Sequence, residues 1–170
     1  AEIDPAMFRT VVERVGKARL VFCAAMGNTI PVAMDAGYKL NELGLAAISA
    51  PVWEHMLAMM HAARPEDVML VFSSSGETKD LMRIVAAARE QGVLIVLVTN
   101  QVHSSLARMS HYVLYAASRE RILFRNFSFS STRLSMTAVV EALYYMLLSA
   151  KQDSSSFVDV HEQRLSEQKM

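Results

Sequence analysis

The sequence predicts an α/β protein: a three-layer, doubly wound fold around a five-stranded parallel sheet in the order 2-1-3-4-5. Three observations lead there. Five short apolar runs alternate with helix-length segments, which is the pattern of repeated βα units. The first, third and fourth runs are apolar on both faces, as strands covered on two sides are. Right-handed crossovers between five such strands favour a chain that reverses direction across the sheet between strands one and three.

The elements follow in order. Asp4 before Pro5 is an N-cap with proline at the first helical position, and Phe8, Val11, Val12 and Val15 then repeat at helical spacing. The strands are read at Arg19–Ala24, Leu45–Ser49, Asp67–Phe72, Val93–Thr99 and Tyr112–Ala116. Crossover helices are read at Asn28–Leu43, Pro51–Ala63 and Gly76–Gln91, with a shorter turn near Ser104–Met109. A polar stretch at Ser118–Ser130, bearing Arg119, Arg121 and Arg125, leads to a strongly apolar helix at about Ser131–Ala150. Residues 1–150 are expected to form one domain, and 151–170 a polar tail that crosses to a partner subunit.

Composition excludes several function classes. Seventeen Lys and Arg balance seventeen Asp and Glu, so no net charge draws the chain to a phosphodiester backbone. No apolar run approaches the roughly 18 residues of a membrane span, and no basic-then-apolar leader opens the chain. The single cysteine, Cys23, sits in an apolar run and has no intrachain disulfide partner. The chain is expected to be cytoplasmic. His55, His61, His103, His111 and His161 show no metal-ligand spacing, so neither a metal nor a cofactor is expected.

The functional signal is Ser73-Ser74-Ser75-Gly76-Glu77-Thr78, between strand three and its helix. A helix N-terminus offers unpaired amides and a positive dipole end, so it suits an anion. Gly76 permits close backbone approach, and Ser73, Ser75 and Thr78 can each donate a hydroxyl. The alternative is that Ser75 caps the helix and the rest is turn chemistry, which explains one hydroxyl of the four. In the 2-1-3-4-5 order this loop faces Ala24–Thr29 across the switch point, where ligands bind. Neither loop completes a nucleotide fingerprint.

The stretch "FSSSGETKDLMRIVAAAREQGVLIVLVTN" resembles the SxSGxT signature and following strand of SIS (sugar isomerase) domains, which share the flavodoxin-like sheet order. The order of pieces over about Ile3–Ala150 is most similar to the effector domain of RpiR-type bacterial transcriptional regulators. Those pieces are the leading helix, "AMDAGYKLNELG", "SSSGETK" and "SSTRLSMTAVVEALYYML". The resemblance implies a phosphorylated sugar as ligand, with Ser73, Ser74, Ser75, Gly76 and Thr78 at its phosphate. It places Gly27, Asn28, Thr29, Thr99, Asn100, Ser131 and Arg133 toward the sugar. Two departures stand out: the usual G-x-G-x-S after strand one reads Ala25-Met26-Gly27-Asn28-Thr29, and no helix-turn-helix precedes the leading helix. The resemblance therefore implies either an effector domain apart from its DNA-binding domain or a standalone SIS protein.

The fold also hosts isomerases, which need a general base. Glu54, His55, Glu77 and Glu141 are candidates, but none stands at a catalytic motif. Glu77 is equally a first-turn carboxylate favoured by the helix dipole. The loop after strand one lacks the lysine that arabinose-5-phosphate isomerases carry there. No catalytic residue is assigned. Met56, Met59 and Met60 are expected to pack a core. In the late helix Leu134, Met136, Val139, Val140, Leu143, Tyr144, Met146 and Leu147 surround more than one face. Either the core or a second subunit covers it, the latter giving a homodimer or homotetramer.

Overall fold

The computed structural model describes residues 4–117 and 128–151. Helix α1 (Pro5–Gly16) opens on Asp4, whose carboxylate accepts the Ala6 amide at 2.9 Å. Strands β1 (Val21–Ala25), β2 (Ala47–Ser49), β3 (Val68–Phe72), β4 (Leu94–Thr99) and β5 (Tyr112–Tyr115) form one sheet in the order β2-β1-β3-β4-β5. Every pairing is parallel, in register Val21↔Ala47, Val21↔Val68, Val68↔Leu94 and Val96↔Tyr112. The expected order is the observed one.

Two cores follow from the alternation of strand side chains. Cys23, Leu70, Phe72, Val96 and Val98 face α1, α2 (Ile30–Glu42) and α6 (Ser128–Lys151). Phe22, Met69, Val71, Ile95 and Leu97 face α3 (Trp53–Met59), α4 (Lys79–Glu90) and α5 (Ser105–Met109). Met56 and Met60 are buried in the second core and Met59 packs against it, as expected. The Cys23 thiol is fully buried, and burial pushes its pKa up to about 12.

Helix boundaries differ from the periodicity in instructive ways. The Asn28–Leu43 helix divides into a 3-10 turn at Gly27–Thr29 and α2, with Pro31 in the first turn of α2. The third helix stops at Met59 and tightens to a 3-10 turn at Met60–Ala62. The late helix begins at Ser128, earlier than expected.

The late helix also resolves the question of its cover. Met136, Val139, Val140, Leu143 and Leu147 are buried within this one chain, while Leu134 and Tyr145 are 72% and 63% exposed. Val140 and Leu143 therefore belong to the core. Lys39 on α2 pairs with Glu141 on α6 at 2.9 Å and lies 5.0 Å above the Tyr144 ring.

Candidate functional site

After Phe72 the chain leaves β3 and turns through Ser73–Thr78 before α4 begins. Ser73 is buried; its amide donates to Val98 O at 3.1 Å, and its Oγ accepts the Gly76 amide at 3.1 Å. That turn is possible because Gly76 adopts φ +67, a conformation costly for other residues. Ser75 is exposed and its Oγ accepts the Glu77 amide at 3.2 Å. Ser75 is not the helix cap. Thr78 holds that position with extended backbone, and its hydroxyl makes no capping bond. The helix expected from Gly76 starts at Lys79 because residues 76–78 form the turn. The first-turn amides of α4, which have no acceptor in their own helix, thus meet no side-chain cap.

Neighbouring loops are tied to this turn. Ser74 Oγ donates to Asn100 Oδ1 at 3.0 Å, and Thr99 Oγ1 donates to Ser74 O at 3.3 Å. Asn100 Nδ2 donates to Ala116 O beyond β5 and to Ser135 Oγ on α6 at 3.3 Å. One amide side chain thereby joins the ends of β4 and β5, the serine turn and α6. Thr29 is buried, and its hydroxyl points to Met26 O at 2.9 Å and Phe72 O at 3.1 Å. It fastens the β1 loop to the end of β3. Gly27, with φ +61, is exposed and Asn28 half-buried on the same loop. Arg133 is exposed two residues before Ser135. The side chain of Ser131 lies outside the described residues, as do Arg119, Arg121, Arg125, His161 and the tail from 152 onward.

Glu77 is engaged elsewhere. Its Oε1 accepts the Ser105 amide at 2.8 Å. The backbone and hydroxyl hydrogen bonds from Ser105 hold its carboxyl below the usual range, and the Arg108 guanidinium adds to this. Glu141 is ion-paired with Lys39. His111 Nδ1 accepts the Ile95 amide at 2.9 Å; burial lowers its pKa, and Arg89 and Arg14 lower it further. Among the described residues no cluster of His, Cys, Asp and Glu could hold a metal ion, and no helix is long and apolar enough to cross a membrane.

Sequence reasoning did not single out Ser104 or Ser135. Ser104 caps α5 by accepting the Ala107 amide at 3.3 Å and lies directly against Gly76. A serine just before a short helical run was the available signal. Ser135 carried none, since its role depends on where α6 crosses the sheet.

The arrangement offers what an oxyanion needs: hydroxyls at Ser75 and Thr78, an uncapped helix start and a glycine where the backbone comes close. A profile of the SIS domain family matches residues 16–146, and the chain belongs to that family. It is similar to the NanR protein of Vibrio vulnificus complexed with ManNAc-6P: 25% identity, TM-score 0.87, covering 97% of this chain and 62% of that one. This chain thus spans less than two thirds of the length of that NanR chain. It is likewise similar to the sugar isomerase domain of an RpiR transcription factor from Sphaerobacter thermophilus, at 25% identity and TM-score 0.84, covering 96% and 88% of the two chains. E. coli CFT073 c3406 in complex with A5P shares the fold at TM-score 0.71 and 17% identity, covering 94% of this chain and 86% of that one.

Proposed function

We propose that this SIS domain binds a phosphorylated sugar at the Ser73–Thr78 turn and serves as the sensing domain of an RpiR-type transcriptional regulator. The observation that carries the reading is the start of α4, where Thr78 occupies the cap position yet leaves the helix amides uncapped. An anion is the natural partner for such a helix end. Ser75, Gly76 and Thr78 would meet the phosphate directly. Ser73 and Ser74 would shape the turn, through Gly76 and Asn100 respectively. Gly27, Asn28, Asn100, Ser131 and Arg133 would border the sugar, and Thr29 and Thr99 would hold the bordering loops. Similarity to NanR with ManNAc-6P and to the RpiR domain supports this class of ligand.

Ligand would act by favouring one arrangement of subunits, and with it one arrangement of DNA-binding domains carried elsewhere in the protein. Sensing is preferred to isomerisation on two grounds. Glu77, the acid within the turn, is tied to Ser105, and the β1 loop has no lysine. Calorimetry with N-acetylmannosamine 6-phosphate, other hexose phosphates and the parent sugars tests the reading. Phosphorylated ligands should bind and the parent sugars bind poorly, without aldose–ketose interconversion. Turnover at about 1 per second or faster would install the isomerase reading instead. No binding of any phosphosugar would remove both.

A further inference from the structure

We propose that Glu77 is a positioning residue of the phosphate turn: its carboxylate, together with the Gly76 carbonyl, fastens the turn to the start of α5 and so holds the turn's donors in place for ligand. This rests on the phosphosugar reading and deepens it. Three successive amides at the start of α5 are filled. Ser105 donates to Glu77 Oε1 at 2.8 Å, Leu106 to Gly76 O at 3.0 Å and Ala107 to Ser104 Oγ at 3.3 Å. Two of the three acceptors belong to the phosphate turn. The fit is close on the other side as well, since a Cβ built on Gly76 would fall 2.0 Å from Ser104 Oγ.

The two adjacent helix starts are therefore treated in opposite ways. The α5 end is closed by the turn, and the α4 end is left without a side-chain cap. A carboxylate suits the closing role because a helix start favours negative charge and charge-assisted hydrogen bonds are the stronger ones. Arg108 completes the group: its Nη2 donates to Ser105 Oγ at 2.9 Å. The negative charge of Glu77 is thus directed at α5 and Arg108, where it is compensated, and not at an incoming phosphate.

The test compares Glu77→Ala and Glu77→Gln with wild type by amide hydrogen exchange without ligand, and by calorimetry with N-acetylmannosamine 6-phosphate and with inorganic phosphate. Glu77→Ala should speed exchange at Ser105 and Leu106 and weaken the phosphosugar about tenfold, the effect of leaving the turn in its binding-competent form only about a tenth of the time. Its thermal midpoint should stay close to that of wild type, because the residue is exposed. Glu77→Gln keeps an acceptor and should recover most of the affinity and the protection. Unchanged exchange in Glu77→Ala overturns the proposal. So does a Glu77→Gln chain that binds as weakly as Glu77→Ala while its Ser105 amide stays protected, since Glu77 would then act on the ligand itself. If wild type binds neither compound the phosphosugar reading falls, and the exchange data alone decide whether Glu77 holds the turn.

Discussion

Ser73, Ser75 and Thr78 stand in one turn yet differ in what their hydroxyls already do. Ser73 is buried and accepts the Gly76 amide, so Ser73→Ala should cost about 1 kcal/mol of stability, as a lost hydrogen bond does, besides loosening the turn. Thr78 makes no capping bond, so Thr78→Ala should leave the thermal midpoint nearly unchanged while weakening a phosphosugar about tenfold. Ser75→Ala should act on both, with the smaller stability loss of an exposed bond to Glu77. Melting curves and calorimetry on the three variants check the ranking. A Thr78→Ala chain that melts lower but binds normally would make Thr78 a cap after all. The hydroxyl-rich composition of this turn was plain in the sequence. Which serine was structural was not, because that depends on the positive φ of Gly76, which folds the Ser73 hydroxyl inward.

At the scale of elements, α6 shows what periodicity leaves open. Eight apolar positions covered several faces, and only packing against α1, α2 and the sheet sorted them. Leu134 and Tyr145 remain exposed on α6, and Met34 and Tyr38 on α2, which packs against it. We propose that the chain self-associates through these exposed apolar side chains. A Tyr145→Asp chain should stay folded and sediment with a lower average mass than wild type at micromolar concentration. Val140→Asp should unfold the domain instead, since it would place a charge in the core. A wild-type chain that is monomeric throughout would refute this use of the surface. The start of α4 was misplaced by three residues for a related reason: Gly76, Glu77 and Thr78 fit a helical window, but the hydrogen bonds of Gly76 and Glu77 go to Ser73, Ser75 and α5.

For the whole molecule, strand order was legible because few topologies satisfy right-handed crossovers with two covered faces, and β2-β1-β3-β4-β5 is one of them. Long-range polar ties were not legible; Asn100 to Ala116 and Ile95 to His111 join residues 16 apart across β4 and β5. The second tie predicts a pH response. His111 has its pKa lowered from 6.5, chiefly by burial, so the unfolded chain binds the proton more readily. Its contribution is fully present above about pH 6.5 and is lost as pH falls toward the lower folded value. His111→Gln should flatten the stability profile over that interval in denaturant titrations. An unchanged profile would mean that the imidazole binds its proton equally in the folded and the unfolded chain.

Burial of the sole cysteine has a practical consequence for labelling chemistry. Cys23 is fully buried in β1, and its thiol stays protonated with a pKa of about 12. Only the thiolate reacts with electrophilic dyes and disulfide reagents, so the native chain should be silent toward them and react no faster than the molecule opens. A cysteine introduced at exposed Gln101, next to Asn100, would then be the one reactive thiol of the folded protein. A fluorophore there would report occupancy of the serine turn without removing any native residue of the core. Rapid modification of the unmutated chain under native conditions would show that the core around β1 opens far more often than its packing implies.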